Sequence, residues 1–311
     1  MVSKELLSNL QFDAEDITEI LAKDKVYGND IAPLAEKYMR GGRENVLGPV
    51  THEQMVAAKD VALSFLEKAK QLAQTESDIY MLQLLFWLHC IPYLEKDYLR
   101  LEIGKDVLVN SMMDLAYKNR ECKNHNGCCG VETYWFYLFF WCKLFGLGRL
   151  QYQTVVYEEE IYTSGDYVLN PGDRVFKCHI PSSGKLTPQL CMDSLDKAYA
   201  FFKDELKDNV LPVYCASWLL FPNYAEKVYP DGSNLKAFSQ LFDVVSTTET
   251  EKFTISQTIF GIPYPDNLDK LPQDTSLQRN FVSYIKSGGS FGRGCGILLY
   301  DGVKKEIINR R

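Results

Sequence analysis

A short polar turn, SSGK at residues 182–185, is the part of the sequence whose residue types and spacing most directly indicate chemistry. It follows a run of β-forming residues, and Thr187 and Pro188 after it are typical of the N-cap and first position of a helix. Free backbone N–H groups and the positive end of the helix dipole then meet at one place, which favours a phosphate or another anion. Lys185 would add a positive charge. Anion binding and an ordinary turn capped by Thr187 are both compatible with this pattern.

A second candidate for chemistry is the cysteine- and histidine-rich segment 122–129. Four possible nitrogen and sulfur ligands occur there within eight residues: Cys122, His125, Cys128 and Cys129. Such a set could hold a tetrahedral zinc ion, but structural zinc sites usually bring together two separated pairs of ligands. The alternative is a polar loop between helices, and we predict no metal.

The polar turn belongs to a unit of strand, helix and strand that the rest of the chain covers or completes. Residues 175–180 (VFKCHI) and 213–220 (VYCASWLL) are runs of β-forming and apolar residues, which predict two strands. Between them, apolar residues recur at i, i+4, i+7 and i+11 from Cys191, as on one face of an amphipathic helix. This order predicts a right-handed crossover between two parallel strands.

Residues 1–149 predict an all-helical N-terminal domain. Gly or Pro separates six segments with apolar residues at helical spacing: 15–25, 31–39, 51–73, 77–93, 105–118 and 131–145. Thr51 and Gln54 have the spacing of a capping box, and His89 fits a hydrogen-bonded histidine in the core better than a ligand. The very apolar run 134–145 is shorter than the roughly 20 residues of a membrane span. It therefore predicts a buried helix.

Residues 150–311 predict a second domain with a mixed sheet, so that the whole chain is of the α/β (α+β) class. Three antiparallel strands are expected before the crossover, in the region of residues 151–169. Beyond it we expect helices at 233–242 and 276–286, and strands at 253–260 and 296–300. The glycines of SGGSFGRGCG (287–296) precede a strand and not a helix, which favours a flexible strand entry over a phosphate-binding loop.

Composition and charge exclude several classes of protein. With 311 residues, the chain is long enough for two cores. Its net charge of −7 argues against binding to nucleic acid. Nine cysteines without regular spacing indicate reduced thiols and hence a cytoplasmic protein. The N-terminus has no signal-peptide pattern, and no association with a membrane is expected.

The order of these elements resembles that of the GNAT N-acyltransferase superfamily. More specifically, residues 147–260 look like the GNAT-like C-terminal domain of a bacterial group described as acyltransferase-domain proteins, which have a helical N-terminal partner. About half of the chain carries the resemblance, in the segments LGRLQYQ (147–153), NPGDRVFKCHIP (170–181), LTPQLCMDSLDKAYAFF (186–202), CASWLLFP (215–222) and SNLKAFSQLF (233–242).

The resemblance implies acyl-coenzyme A as the cofactor and direct transfer of its acyl group to an amine, either a small molecule or a peptide. It also implies that the pantetheine lies between two splayed parallel strands, here 175–180 and 213–219, and that the pyrophosphate lies on the turn that follows the first strand. The residues that it assigns to the cofactor are Ile180, Ser182, Ser183, Gly184, Lys185, Thr187 and Asn234.

Three side chains are then candidates for catalysis. His179 ends the first strand beside the expected thioester, and the ordinary pKa of histidine suits a general base. On the second strand, Ser217 could hold the sulfur or a water molecule, and Cys215 could accept the acyl group. Alternatively, His179 forms a hydrogen bond to the turn, and Cys215 and Ser217 are small packing residues.

The rival function is a GNAT-derived binding or sensor module for a small ligand or a protein, inactive as a catalyst. It is supported by PSSGKL, which departs from the superfamily's usual pyrophosphate motif.

Overall fold

A computed structural model describes residues 1–41, 50–132, 134–250 and 252–309, with the backbone alone at 252–255. The chain forms two compact units. The first comprises Met1–Leu147, Gln151–Thr154 and Ile180–Ser183, and the second comprises Gly148–Leu150, Val155–His179 and Gly184–Arg311. Over the described ranges, no helix has both the length and the apolar composition needed to cross a lipid bilayer.

The first unit is helical, as predicted. Its helices are α1 (Lys4–Asn9), α2 (Ala14–Arg40), α3 (His52–Lys70), α4 (Glu76–Arg100), α5 (Lys105–Met112), α6 (Asp114–Asn126) and α7 (Tyr137–Phe140). The expected capping box at the start of α3 is confirmed, because the Thr51 hydroxyl accepts from the Gln54 N–H at 3.2 Å and the Gln54 side chain accepts from the Thr51 N–H. In the core of this unit the rings of Trp87 and Phe140 are stacked nearly parallel, with their centroids 5.0 Å apart.

Two helix boundaries in the first unit differ from the sequence pattern. The segments 15–25 and 31–39 form the single helix α2, with Pro33 inside it. The buried stripe of α2 continues through Ile31 and Ala35, so packing outweighs the loss of one backbone hydrogen bond. The predicted helix 105–118 is divided into α5 and α6.

The prediction of one helix over residues 131–145 was wrong. Among the described residues of this stretch, Tyr137–Phe140 alone form a helix, and β1 (Leu144–Leu147) follows almost directly. The break lies at Cys142, whose φ of 53° is a left-handed conformation that no α-helix continues through. Because every residue of β1 is buried, its sequence lacks the alternation by which a strand is usually recognised.

The second unit holds most of a seven-stranded mixed sheet, as the predicted fold class requires. The sheet order is β1-β2-β5-β6-β8-β7, with β9 paired to β8, and β3 and β4 form a separate hairpin. The strands are β2 (Leu150–Val156), β3 (Tyr162–Ser164), β4 (Tyr167–Leu169), β5 (Arg174–His179), β6 (Val210–Ser217), β7 (Asp243–Glu249), β8 (Gly292–Asp301) and β9 (Glu306–Ile307). The helices are α8 (Pro188–Phe202), α9 (Pro222–Lys227), α10 (Asn234–Ser239), α11 (Lys252–Phe260) and α12 (Ser276–Lys286).

The predicted crossover is confirmed, because β5 and β6 are parallel and α8 connects them. The second strand, however, begins and ends three residues earlier than expected. Trp218–Leu220 is a turn of 3₁₀ helix, and the Ser217 hydroxyl accepts from the Leu219 N–H at 3.2 Å. This local cap competes with the strand pattern and ends β6.

Residues 253–260 were predicted as a strand and lie in the helix α11. Short apolar runs do not distinguish a strand from a helix, and the edge strand is instead β7, ten residues earlier. The expectation of three antiparallel strands before β5 was also wrong in part, since β3 and β4 pair only with each other. The helix at 276–286 is confirmed with both of its ends.

The glycine-rich segment contributes to the sheet itself. Gly292, Gly294 and Gly296 lie inside β8, which is longer than the predicted strand 296–300. A Cβ atom on Gly294 would lie 2.3 Å from the carbonyl oxygen of Leu220, so only glycine fits against the 3₁₀ turn that follows β6. Close packing, and not flexibility at a strand entry, accounts for this residue.

Candidate active site

The polar turn lies between β5 and α8, as the sequence predicts. Thr187 is the N-cap of α8, with its hydroxyl accepting from the Leu190 N–H at 3.3 Å, and Pro188 is the first helical residue. The helix packs on the sheet through Phe202, whose ring centroid lies 4.3 Å from that of Phe176 on β5. The turn is thus held at both ends by regular structure.

The two parallel strands separate beside this turn. Within the described residues of β5 and β6, the paired positions are Phe176 with Val213 and Lys177 with Tyr214. Beyond them β6 stays paired with β8 as far as Ser217, opposite Gly294. The carboxyl end of β5 therefore departs from its parallel neighbour at this point.

The backbone of the turn offers several hydrogen-bond donors. Gly184 has a φ of 99°, a conformation that glycine adopts readily. In this described stretch, the N–H groups of Gly184, Lys185 and Leu186 donate to no protein acceptor. Lys185 is exposed. These groups suit an anion, as the sequence predicts.

Ser182 and Ser183 do not add free donors in the same way. The Ser182 hydroxyl donates to the carboxylate of Glu121, and the Ser183 N–H donates to the Pro181 carbonyl at 2.8 Å. A carboxylate beside the turn opposes an anion, so Ser182 is the predicted cofactor residue that fits a pyrophosphate least well.

Arg149 supports the turn and was missed by the sequence reasoning. Its guanidinium donates to the carbonyls of Lys185 and Gly184, each at 3.0 Å. These bonds fix the turn and place a permanent positive charge beside it. Arg149 lies in LGRLQYQ, one of the segments that carry the family resemblance, but the sequence alone indicated no role for it.

The predicted catalytic residues lie on opposite faces of the sheet. Strand alternation and the register place Lys177, His179 and Tyr214 on one face, and Cys178, Cys215 and Ser217 on the other. His179 is therefore not brought together with Cys215 or Ser217. The structure does not assemble these three side chains into one catalytic group.

His179 ends β5 as predicted and is half-buried. Desolvation, with a smaller contribution from the positive charge of Lys177, lowers the pKa of His179 to about 3. The imidazole is therefore neutral throughout the physiological range. Neutral imidazole can accept a proton, although a pKa this low makes it a weaker base than the sequence suggested.

Cys215 and Ser217 lie on the face that α8 covers. The Cys215 thiol is buried and hydrogen-bonded to that of Cys178. This contact and burial raise the pKa of Cys178 well above its usual range. A buried pair of thiols packs as small apolar groups do. Ser217 caps the 3₁₀ turn at Trp218–Leu220.

Among the described residues, the structure shows no hydrogen bond that links the other two predicted cofactor residues, Ile180 and Asn234, with the donors of the turn. Ile180 is half-buried and follows β5 directly. Asn234 is the first residue of α10, where the Ser233 hydroxyl accepts from the Lys236 N–H as the N-cap. Helix α10 contacts α8, but no bond from Asn234 to the turn is observed.

The cysteine-rich segment is helical as far as Asn126 and does not form the predicted loop there. Over residues 1–41, 50–132, 134–250 and 252–309, no three His, Cys, Asp or Glu side chains are grouped as metal ligands. Cys129 instead donates to the Asn119 side chain at 2.9 Å. His89 is a buried, hydrogen-bonded histidine, as predicted, with Nε2 2.6 Å from a carboxylate oxygen of Asp24.

A buried polar group in the first unit was also missed. Asp114, at the start of α6, has no exposed surface, and neither carboxylate oxygen accepts a hydrogen bond from a described residue. Desolvation raises its pKa to about 6, against the positive charge of Lys118 and the nearby donors of the Gln151 and Trp135 side chains. The sequence signal was a single charge in the apolar stretch SMMDLAY.

Two family models account for nearly the whole chain. Residues 1–142 match the N-acyltransferase N-terminal domain, and residues 144–298 match the GNAT-like C-terminal domain. The chain belongs to the GNAT-like acyltransferase family. The resemblance noted in the sequence is thereby confirmed. A comparison with curated proteins found no match.

Solved structures of acyltransferases share the fold of this family member. An acyltransferase in complex with decanoyl-CoA is 20% identical, with a TM-score of 0.64, and the alignment covers 94% of this chain and 86% of the other. A complex with decanoyl-CoA and teicoplanin is 18% identical, with the same TM-score and coverage. A complex with CoA and 10C-teicoplanin is 20% identical, with a TM-score of 0.63 and again that coverage.

Proposed function

We propose that this protein transfers an acyl group from acyl-coenzyme A to an amine. The observation that carries the proposal is the parallel pair β5 and β6, which separates after Lys177 and Tyr214 and leads into the capped turn of α8. Two parallel strands that separate next to a turn with open N–H donors suit a ligand that has an amide-containing arm and a diphosphate. The family model that matches the first 142 residues is that of an N-acyltransferase N-terminal domain, which supports the same reaction.

The residues of the turn fit coenzyme A in part. The open N–H groups of Gly184, Lys185 and Leu186 are donors for the diphosphate, with the charges of Lys185 and Arg149 beside them. Ser182, committed to Glu121, is left out of this set. When bound, acyl-coenzyme A would supply the activated thioester, and the N–H groups and positive charges of the turn would hold its diphosphate.

His179 is the side chain we propose to receive the proton of the attacking amine. It ends the strand that departs from β6, and its imidazole is neutral because its pKa is lowered to about 3. Such a base removes a proton effectively only once the amine has begun to attack and has become more acidic. We assign no step to Cys215, because its thiol is buried against Cys178.

We propose a donor with a medium-length acyl chain, since the solved structures of this fold include complexes with decanoyl-CoA. Teicoplanin in two of the similar structures supports an acceptor larger than a simple metabolite.

Two observations favour the rival function, a binding module without catalysis. The Glu121 carboxylate at Ser182 weakens the positive potential of the turn, and a pKa of about 3 limits His179 as a base. Such a protein would bind acyl-coenzyme A or a related ligand without turnover.

The deciding experiment measures binding and turnover separately. Coenzyme A and decanoyl-CoA are titrated by calorimetry, and acylated products of a panel of primary amines are sought by mass spectrometry. Saturable binding with amine-dependent product supports the transferase, and saturable binding without product supports the binding module. No binding at millimolar ligand would contradict both.

Charge reversal at the turn tests where the cofactor binds. Lys185→Glu should weaken coenzyme A binding by about tenfold, because it replaces an attraction to phosphate with a repulsion. Lys270→Glu, at another exposed lysine of the same unit, is the matched control and should change the dissociation constant less than about twofold. Equal effects of the two variants would mean that the turn is not the site.

A further inference from the structure

The mixed sheet ends in an open edge at β7. This strand pairs with β8 on one side and is the last strand in the sheet order. Over the described part of the chain, no backbone N–H or C=O group of residues 244–249 bonds to anything except β8. An edge strand of this kind presents a row of donors and acceptors with which a further strand can pair.

β7 has little of the protection that natural sheet edges usually carry. Its sequence, DVVSTTE, contains neither lysine nor proline. A bulge at Val245 interrupts the pairing with β8, but residues 246–249 continue as regular strand, and the last three of them are exposed. Regular, exposed and mostly uncharged strand residues suit the addition of another strand.

A groove lies beside the first half of this strand. It has a volume of about 810 Å³ and is lined by residues 242–246 and by residues 159–162, the segment that leads into the hairpin of β3 and β4. Two apolar side chains of its lining remain accessible to water, Ile161 (62% exposed) and Val244 (38% exposed). A segment that lay along β7 in this groove would cover them and remove their apolar area from water.

The groove is negatively charged. Glu159, Glu160 and Asp243 belong to its lining, which among the described residues includes no lysine or arginine. The hydroxyl of Tyr214 donates to Glu159 at 3.0 Å, and that of Tyr162 donates to Asp243 at 2.6 Å. A hydroxyl is a neutral donor, so these bonds orient the two carboxylates without cancelling their charge. The groove therefore complements a positively charged segment.

We propose that the edge of β7 binds an extended segment of a partner protein that carries lysine or arginine, as an added strand of the sheet. Backbone pairing would supply affinity, and the carboxylates of the groove would select positive side chains. The seven residues of β7 match about 24 Å of extended chain. This inference does not depend on the proposed transferase function.

A second copy of this chain fits the same edge less well. Antiparallel pairing of two β7 strands about a twofold axis at Ser246 would place Asp243 of one copy opposite Glu249 of the other, twice. Like charges directly opposite each other destabilise a pair of strands. The charge pattern of the strand thus favours a basic partner over self-association.

The test uses a seven-residue peptide in which lysine alternates with valine, blocked at both ends and carrying a fluorescent label. Its binding to the full-length protein is measured by fluorescence anisotropy. We expect saturable binding, and at least about tenfold weaker binding when glutamate replaces lysine or when every peptide nitrogen is methylated. Methylation keeps the charge and removes the N–H donors, so it separates strand pairing from general attraction to a protein of net charge −7.

Charge reversal tests whether the peptide binds in the groove. Glu160→Lys, at an exposed residue, should weaken binding by about fivefold. The control Glu226→Lys, at an exposed carboxylate of α9, changes the net charge equally and should alter the affinity less than about twofold. Equal effects of the two variants, or equal affinities of the lysine peptide and its methylated form, would overturn the inference.

Hydrogen exchange gives a second measurement that needs no variant. The bound peptide should slow amide exchange within residues 244–249, because the outward N–H groups of β7 would gain acceptors. Unchanged exchange there at saturating peptide would overturn the inference. A dimer in sedimentation that binds no peptide would also overturn it, because the edge would then belong to a second copy of the chain.

Discussion

Replacing Asp114 with asparagine should make the protein more stable at neutral pH. The native carboxylate is fully buried, and neither oxygen accepts a hydrogen bond from a described residue. Asparagine has nearly the same shape and no charge, so it removes the penalty for burying an ion. Most substitutions in a protein core are destabilising, so the expected direction is the opposite of the general one.

The magnitude follows from the shift in pKa. Burial raises the pKa of Asp114 from its usual 3.8 to about 6 in the folded protein. As pH rises through this interval, the unfolded chain releases a proton that the native state retains, so the free energy of unfolding falls. About two pH units at about 1.4 kcal/mol each give a loss of about 3 kcal/mol by pH 7. Asp114→Asn should not show this loss.

Urea unfolding at pH 4, 5, 6 and 7.5 measures the effect. The difference between Asp114→Asn and wild type should grow by about 3 kcal/mol over this range, in favour of the variant at the higher pH. For the control Asp106→Asn, at an exposed carboxylate of α5, the difference in free energy of unfolding from wild type should not grow with pH in this way. A variant that is less stable than wild type at pH 7.5, with the same pH dependence, would refute the account of Asp114 as a charge whose burial costs more than its neighbours return.

Three further predictions concern the second unit. The pKa of His179 is lowered to about 3, against 6.5 in the unfolded chain, so its contribution to stability is complete above pH 6.5 and is lost as pH falls. In urea unfolding from pH 6 to 4, the wild type should lose up to about 1.4 kcal/mol per pH unit relative to His179→Asn. Parallel pH dependences of the two proteins would contradict this. Arg149→Gln removes two hydrogen bonds to the turn and should weaken coenzyme A binding by about tenfold in calorimetry, whereas an unchanged affinity would exclude Arg149 from organising it. Gly294→Ala would place a Cβ atom 2.3 Å from the Leu220 carbonyl oxygen and should lower stability by about 2 kcal/mol, and a variant as stable as wild type would mean that this contact relaxes freely.

Local signals in the sequence were sufficient for several elements of the fold. Thr187 and Pro188 mark the start of α8, and the boundaries of α12 agree with the prediction at both ends. These features depend on residues within one turn of the helix end, where a side chain satisfies its own backbone. The parallel crossover could also be predicted, because chirality leaves few ways to connect two strands through a helix.

Longer-range packing decided the elements that were predicted wrongly. Residues 253–260 are apolar enough for a strand or a helix, and β8 pairs instead with residues 243–249. The stretch 131–145 is interrupted by the left-handed Cys142 and continues as a strand. In both segments the residue pattern fits two structures, and only tertiary contacts select one of them.

The candidate site shows the same division between sequence and structure. The sequence by itself determined the family, the parallel pair of strands and the turn that suits an anion. Only the tertiary structure placed His179 and Cys215 on opposite faces of the sheet, brought Arg149 to the turn and buried Asp114. Register, burial and hydrogen-bond partners depend on residues far apart in the chain, and no local pattern contains that information.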